Sequence, residues 1–382
     1  MPDTIPPNSA PARHATESSA VEELDVILRH GMTCLMVDLG NRCGFWDVLD
    51  TEARTSEHLA ARIQGEPRYF YEWLGAVVSA GLVVLDAEDR YRLMPEYKAA
   101  LSRRSDTSVA DTAGLVVELA HHVPRVAEHV RTGGGISYAN RHPGVSEVFD
   151  RLNKNVYDTS LHQILELVPG LQEVLEYGTV ADIGCGTGRV VRLLAERHPN
   201  GTFIGYDNLP ASIEAARAEA QMSGLENVRF EVGDIGDIAA PTMCDAVLAF
   251  EVIHNLSRPH ATVERVHTML RPGGLFVMYE ANASGDLQLD KGLSWASDLY
   301  AFSTLSCVGV SLAEGGPGLG AMWGNTGATA LLADHGFSPV RVDVVPSDTS
   351  RALFSARALP LGVGGAVSFR SPSGETSVES HG

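Results

Sequence analysis

Hydrophobic residues recur at helical spacing from residue 21 to about residue 103, which predicts an α-rich N-terminal region. The segment TSEHLAARI begins with Thr55 and Ser56, both plausible helix caps, and EPRYFYEWLGAVVSAG has the pattern of an amphipathic helix that ends at Gly81. Two short β-like runs in LVVLDAEDRYRL then surround an acidic turn. Helices followed by a β-hairpin are typical of a winged helix-turn-helix.

The hydrophobic pattern changes at residue 178. Before it, residues 107–172 are predicted to be helical, with breaks at Gly133–Gly135 and at Pro143–Gly144. After it, short apolar strands such as TVADIGC, TFIGYD and DAVLAF alternate with helices, which predicts a parallel sheet covered on both faces. The late strands VRVDVVP and ALFSARA are close enough in sequence to form an antiparallel pair at the sheet edge.

These patterns divide the chain into five predicted segments. They are a disordered leader (1–20), a winged-helix-like domain (21–105), a helical linker and cap (106–172), an α/β domain (173–358) and a disordered tail (359–382). We expect the N-terminal domain to form a homodimer, because its apolar helices outnumber what a small domain can bury.

The composition of the chain argues against a membrane or a nucleic acid as its partner. No apolar run approaches the length of a membrane span, and the N-terminus does not have the pattern of a secretory signal. The five cysteines form no CxxC pair, so we expect reduced thiols, no disulfide framework and a cytoplasmic protein. The net charge of −19 would repel a polyanion, and the would-be recognition helix EPRYFYEWLGAVVSA carries only Arg68 against Glu66 and Glu72. We therefore expect neither a membrane nor a nucleic acid as a partner.

A glycine-rich turn marks the candidate binding site. The strand VADIG runs directly into Gly184-Cys185-Gly186-Thr187-Gly188, and a helix follows. Glycines permit a tight turn and let a ligand lie against the backbone, while the helix start offers free N–H groups. The spacing is GxGxG, and Arg189 occupies the next position. An NAD or nucleotide site remains an alternative that this spacing disfavours.

Polar residues at or just after the ends of the following predicted strands are further candidates for the binding site. Asp207 ends TFIGYD, where a carboxylate can accept both hydroxyls of a ribose. Asp234 can accept a hydrogen bond from an adenine amino group while Ile235 packs on the ring. Glu251 and His254 come just after DAVLAF, at the carboxyl edge where open α/β sheets bind ligands.

Together these motifs resemble class I S-adenosylmethionine (SAM)-dependent methyltransferases over residues 178–283. The resemblance implies a Rossmann-like methyltransferase fold behind an N-terminal winged-helix domain, with SAM as the cofactor. The candidate cofactor residues are Asp182, Gly184, Gly186, Gly188, Asp207, Asn208, Asp234, Ile235, Phe250 and Glu251. The stretch FSTLSCVGVSLAEGGPGLGAMWG is similar to a bacterial subfamily of this kind, which usually carries a histidine where this chain has Ser306.

His254 is the candidate catalytic residue, as a base or a group that orients the acceptor. A structural role for His254 and a base role for Glu251 remain open. His260 and His267 share a helix face, but no third ligand is identified and we expect no metal. Tyr157, Trp295 and Tyr300 are the candidate acceptor contacts, and the glycine-dense loop Glu314–Gly320 is a candidate lid.

The sequence therefore favours a methyltransferase that acts on a small molecule. We expect O- or C-methylation of an aromatic or polyketide-like acceptor in specialised metabolism. The alternative is a SAM-binding protein that does not methylate, either a transcriptional regulator or an enzyme that uses SAM in a rearrangement.

Overall fold

The structure is a computed structural model that describes residues 17–49, 52–63, 65–101, 109–238 and 242–360. Most of the predicted leader and tail, and the boundary predicted at 105/106, lie outside these ranges. Helix α1 begins at Glu17, so the prediction of disorder is wrong for the last residues of the leader. At the other end, the Leu359 N–H donates to the Gly336 carbonyl at 2.9 Å.

The N-terminal region combines helices with a small antiparallel sheet of order β1-β3-β2. Its elements are α1 (Glu17–Arg42), α2 (Phe45–Val48), β1 (Arg54–Thr55), α3 (Ser56–Ala60), α4 (Pro67–Ser79), β2 (Val83–Leu85), β3 (Arg90–Leu93) and α5 (Pro95–Leu101). Thr55 caps α3 as predicted, because its hydroxyl accepts from the His58 N–H at 3.3 Å. The predicted pattern of helices followed by a hairpin is present.

Helix α4 buries one face in the core of this region. Phe70, Trp73, Leu74 and Val77 are buried, and the Trp73 indole donates to the Met36 carbonyl at 2.8 Å. The opposite face is exposed, and there Arg68 is paired with Glu72. The one arginine of this helix is therefore neutralised, which does not favour contact with phosphates.

Four helices and a short 3-10 helix form the described part of the connecting region. They are α6 (Ala110–Ala120), α7 (Val123–Thr132), the 3-10 helix Tyr138–Asn140, α8 (Pro143–Glu166) and α9 (Leu171–Tyr177). The predicted break at Gly133–Gly135 is present, since α7 ends there. Pro143–Gly144 was predicted as a break, but it begins α8, because proline fits the first turn of a helix.

The C-terminal region is a seven-stranded sheet of order β6-β5-β4-β7-β8-β10-β9. Its strands are β4 (Thr179–Ile183), β5 (Thr202–Asp207), β6 (Val228–Val232), β7 (Cys244–Phe250), β8 (Leu270–Ala281), β9 (Arg341–Val344) and β10 (Arg351–Arg357). β4 to β8 run parallel, and β10 is antiparallel to both β8 and β9. The two late strands thus form the predicted antiparallel pair. The strand order reverses at β4, where such sheets leave a crevice for ligands.

Helices cover both faces of this sheet, as the alternating pattern predicts. They are α10 (Arg189–Arg197), α11 (Pro210–Met222), α12 (Pro259–Met269), α13 (Leu287–Asp290), α14 (Ala296–Leu305), α15 (Cys307–Ala313) and α16 (Asn325–Asp334), with 3-10 helices Ile235–Asp237 and Ile253–Asn255. The boundary predicted at 172/173 falls inside α9. Leu171 and Leu175 of that helix are buried in the same core as β4 and α8.

No helix in the described part of the chain combines the length and the apolar character that a membrane span requires.

The two glycines at the start of α10 differ in what surrounds them. A Cβ on Gly188 would lie 2.4 Å from Phe230 Cε1, whereas a Cβ on Gly186 would meet nothing within 4 Å. Both have positive φ, at 73° and 54°. We expect Gly188→Ala to lower the free energy of unfolding by about 2–4 kcal/mol, through backbone strain and overpacking. Gly186→Ala should cost only the strain, about 1–2 kcal/mol.

Urea denaturation followed by circular dichroism measures both values. Equal losses for the two variants would contradict the packing role assigned to Gly188.

Candidate active site

A cavity of about 820 Å³ opens at the carboxyl edge of β4, β5, β6 and β7. The loops that follow these strands form its floor, and helices α6, α8, α14 and α15 form its roof. Apolar side chains line the roof, among them Leu115, Leu119, Phe149, Phe302 and Leu305. This volume is typical of a site for a small organic ligand.

The glycine turn lies on the floor of the cavity. Gly184 and Gly186 line it, as predicted. Gly188 does not line it, because this residue faces Phe230 beneath the turn. Gly188 therefore shapes the turn instead of contacting a ligand directly.

Asp207 holds this turn from the end of β5. One carboxylate oxygen accepts from the Gly186 N–H at 2.8 Å, and the other accepts from the Leu209 N–H at 2.9 Å. Burial raises the pKa of Asp207, and the two backbone hydrogen bonds oppose that shift. Asn208 lines the cavity beside it. The predicted ribose-binding acid is thus in the cavity and fixed in orientation.

Asp182 lies below the turn and does not line the cavity. Its side chain is buried, and its Oδ1 has no hydrogen-bond partner among the described residues. Burial, and then the nearby charge of Asp207, raise the pKa of Asp182 well above its usual value. Asp182 thus lies behind the turn, and its role as a cofactor contact stays a prediction.

Asp234 and Ile235 line the end of the cavity beside β6. The Asp234 carboxylate accepts from the Gly236 N–H at 2.9 Å and from Arg258 at 2.9 Å. Arg258 also pairs with Asp237 at 2.7 Å. Sequence reasoning missed Arg258, which precedes α12 and shows no local motif. A carboxylate has room for further donors, so Asp234 remains able to accept another hydrogen bond.

His254 lies in the 3-10 helix after β7 and lines the cavity. Its Nδ1 contacts the Glu280 carboxylate, and the Ile253 N–H donates to the other oxygen at 3.0 Å. Burial lowers the pKa of His254, but the carboxylate of Glu280 and the adjacent Cys307 raise it well above the usual value. Glu280 occupies Nδ1 and the thiol of Cys307 also hydrogen-bonds the ring, so a ligand would have to compete with Cys307 for Nε2.

Sequence reasoning also missed Glu280. The signal was present, since this acid interrupts the apolar strand LFVMYEA of β8. A charged residue inside a buried strand is rare unless it has a partner. Glu280 is 0% exposed and has such partners in Ile253 and His254.

Glu251 lines the cavity in a strained backbone conformation. Its φ is 58°, in the left-handed region that glycine favours. Its carboxylate lies 2.7 Å from the guanidinium of Arg351, and its N–H donates to the Tyr279 carbonyl at 2.9 Å. Burial raises the pKa of Glu251, and Arg351 opposes that shift. Because Arg351 neutralises it, Glu251 is less suited than His254 to accept a proton.

The predicted aromatic contacts separate into two groups. Tyr157 lines the cavity and packs edge-on against Phe250, another lining residue, at 5.6 Å. Trp295 and Tyr300 do not line it, and their contact with the acceptor stays a prediction. They pack instead beside the small cluster Ala283, Ala296 and Met322.

The position of Tyr300 outside the lining follows from the geometry of α14. Phe302 and Asp298, which both line the cavity, are four residues apart and share one face of the helix. Tyr300 lies midway between them in sequence, and therefore on the opposite face. Phe302 packs on Phe149 at 5.0 Å and supplies the aromatic wall that was expected from Tyr300.

The glycine-dense loop after α15 is docked on the loop that carries His254. The Gly320 N–H donates to the His254 carbonyl at 3.2 Å, and the Gly318 N–H donates to the Ser311 hydroxyl at 3.0 Å. A closing motion of Glu314–Gly320 remains a prediction.

Among the described residues, two groups each bring three possible metal ligands close together. Neither group contains His260 or His267. In each group an acid is already paired with an arginine, Glu118 with Arg42 and Glu251 with Arg351. The expectation of no metal remains a prediction.

Comparisons with known proteins agree with this geometry. A family described as "Methyltransferase domain" matches residues 176–315, and one described as "Rv2258c-like winged HTH domain" matches residues 31–104. O-demethylpuromycin-O-methyltransferase of Streptomyces alboniger is 24% identical over 368 residues, which are 91% of each chain. The tetracenomycin polyketide synthesis 8-O-methyl transferase TcmO of Streptomyces glaucescens is 27% identical over 60% of this chain and 69% of its own.

A solved structure extends the similarity to the whole described fold. Human N-acetylserotonin methyltransferase in complex with SAM superposes with a TM-score of 0.66 at 17% identity, over 91% of this chain and 100% of the human one. The chain thus matches a methyltransferase domain over residues 176–315 and a winged helix-turn-helix domain over residues 31–104, and its fold is that of the solved methyltransferase.

Proposed function

We propose that the cavity binds SAM along its floor. Gly184 and Gly186 would contact it through their backbone, Asp207 would hold its ribose, and Asp234 with Ile235 its adenine. Asn208, Phe250 and Glu251 line the same floor, while Asp182 and Gly188 support the turn from behind. The open space above Gly186 fits a ligand lying against the backbone. When bound, SAM supplies a methyl group that its sulfonium makes electrophilic.

We further propose that the enzyme O-methylates a small aromatic or polyketide-like molecule. The observation that carries this proposal is the buried pair of His254 and Glu280 at the boundary between the polar floor and the apolar roof. A histidine in this position can receive a proton from an acceptor hydroxyl. The printed names of the Streptomyces relatives, which include an antibiotic and a polyketide O-methyltransferase, support the acceptor class.

The geometry of the His254–Glu280 pair indicates where the acceptor's proton would go. The acceptor oxygen would lose its proton to Nε2 of His254 as it gains the methyl group. Glu280, on Nδ1, would hold the ring in place and stabilise the positive charge that forms on it. Tyr157 and Phe250 would help to enclose the reacting groups and exclude water.

We also propose that the chain forms a homodimer through α1. Residues 21–30 of this helix are exposed on every face. Val21, Leu24, Leu28 and Leu35 follow each other at spacings of three, four and seven residues and form an apolar stripe. An isolated helical segment of this length is marginal in water, so a second copy is the simplest cover for it.

Asp207→Ala should weaken binding of SAM and of S-adenosylhomocysteine by roughly 10- to 100-fold, because two charge-assisted hydrogen bonds are lost. Calorimetric titration measures both affinities, with NAD as a third ligand that should not bind. Asp343→Ala, on the edge strand β9, is the control and should bind like the wild type. Unchanged affinity in a folded Asp207→Ala variant would contradict the site, and binding of NAD alone would favour a dinucleotide site.

The pKa of His254 should lie above the ordinary value of about 6.5. Since the imidazole accepts a proton only above its pKa, kcat/KM should rise with pH and reach half its plateau above that value. Glu280→Gln removes the negative charge and should move this midpoint to lower pH. His254→Gln should abolish the rise and lower kcat by about 100- to 10,000-fold.

The titration of the imidazole can be followed by NMR without an acceptor, with His254→Gln to assign the resonance. His162→Gln, on the outer part of α8, is the control and should leave the profile unchanged. A pH profile that survives in His254→Gln would exclude this residue as the base.

Leu24→Glu combined with Leu28→Glu should convert the dimer to a monomer, because the charges would lie in the apolar stripe of α1. Sedimentation velocity measures the mass. Glu22→Lys, an exposed residue on another face of the same helix, should remain dimeric. A monomeric wild-type protein would refute the proposed dimer.

A further inference from the structure

Arg141 lies on the roof side of the cavity, between the 3-10 helix Tyr138–Asn140 and α8. The carbon of its guanidinium is 4.2 Å from the centre of the Tyr138 ring. One terminal nitrogen donates to the hydroxyl of Ser306 at 2.5 Å. A planar cation held on its face and at one corner has a defined orientation.

These contacts leave N–H donors of the Arg141 guanidinium without an acceptor. It carries five N–H donors, and within the described part of the chain only Ser306 accepts a side-chain hydrogen bond from it. The Nε atom of Arg141 is buried and has no partner there. A buried donor without an acceptor is costly, so this group has a strong requirement for a ligand oxygen.

The charge of Arg141 is also unbalanced. The other two arginines that line the cavity are paired, Arg258 with Asp234 and Arg351 with Glu251. Arg141 forms no ion pair within 4.0 Å among the described residues. Arg141 is therefore an unpaired cation beside an apolar wall, on a roof that also carries the carboxyl groups of Asp150 and Asp298.

Resting on the proposed function, we propose that Arg141 binds a carboxylate of the acceptor, so that the substrate is a small hydroxylated acid. A carboxylate matches the planar fork of a guanidinium with two parallel hydrogen bonds. The amino-acid carboxylate of the cofactor offers the same chemistry. The acceptor is the better match because the partners of Arg141 belong to the roof, whereas the residues assigned to the cofactor follow the strands of the floor.

Ser306 acquires a role in this arrangement. It occupies the position where the similar subfamily usually carries a histidine, and it is 3% exposed. Its hydroxyl is the hydrogen-bond partner that holds Arg141 over the cavity. Ser306 is therefore a positioning residue for the carboxylate site.

The test compares acids with neutral amides of the same shape. The probes are 4-hydroxybenzoate with 4-hydroxybenzamide, and 6-hydroxy-2-naphthoate with its amide. Each is titrated calorimetrically into the full chain, alone and saturated with S-adenosylhomocysteine. The wild type should bind each acid at least about tenfold more tightly than its amide. Arg141→Met should abolish this difference, and Ser306→Ala should reduce it.

Arg125→Met is the matched control, because Arg125 lies on α7 outside the cavity lining and donates to the Asn140 carbonyl. It should keep the preference for acids. Equal binding of acid and amide by the wild type, or a preference that survives in Arg141→Met, would overturn the proposal.

The affinity for S-adenosylhomocysteine separates the two sources of the carboxylate. It should be the same in the wild type and in Arg141→Met. A loss of that affinity without any preference for acids would assign Arg141 to the cofactor and overturn the acceptor site. A wild type that binds no S-adenosylhomocysteine would contradict the proposed function, while the titrations of the protein alone would still decide whether Arg141 binds an acid.

Discussion

Glu280 is a fully buried carboxylate inside β8, and the loop after β7 is arranged around it. Removing such a charge from water costs several kcal/mol unless neighbours bond to it. The Ile253 N–H and the ring of His254 both come from that one loop. The requirement to satisfy Glu280 therefore also determines where the imidazole lies. A sheet that buried an apolar residue at this position would leave the loop, and the floor of the cavity, without this anchor.

The same loop joins the floor of the cavity to its roof. The Ser311 hydroxyl donates to the Leu256 carbonyl at 2.8 Å, and a Cβ on Gly316 would lie 2.4 Å from the Cα of Ser257. The segment after β8 is thus packed closely on the residues that follow His254. The predicted closing motion of Glu314–Gly320 would have to break these contacts. The apolar residues of α6 and α14 are the part of the roof that lies away from this junction.

Site residues whose roles depend on the residues next to them in sequence could be predicted. The glycine turn follows β4, Asp207 ends β5 and His254 lies in the loop after β7, and a strand can be recognised from its own residues. Glu280 and Arg351 were not found, because their roles depend on the strand order β7-β8-β10. In that order Arg351 pairs in register with Ala281, beside Glu280, and reaches Glu251 at the end of β7. Spacing along the chain contains no signal for such a contact.

The distribution of charge in the cavity bears on how the two proposed ligands are kept apart. On the floor Asp234 is paired with Arg258, whereas Asp207 forms no ion pair among the described residues, and the whole chain has a net charge of −19, which favours a cationic cofactor. The roof carries the unpaired cation of Arg141, which can bind a carboxylate of the acceptor, together with the carboxyl groups of Asp150 and Asp298. This arrangement would orient an acid in the cavity before its hydroxyl approaches His254, and orientation of the reacting groups is the main demand that methyl transfer makes on an enzyme.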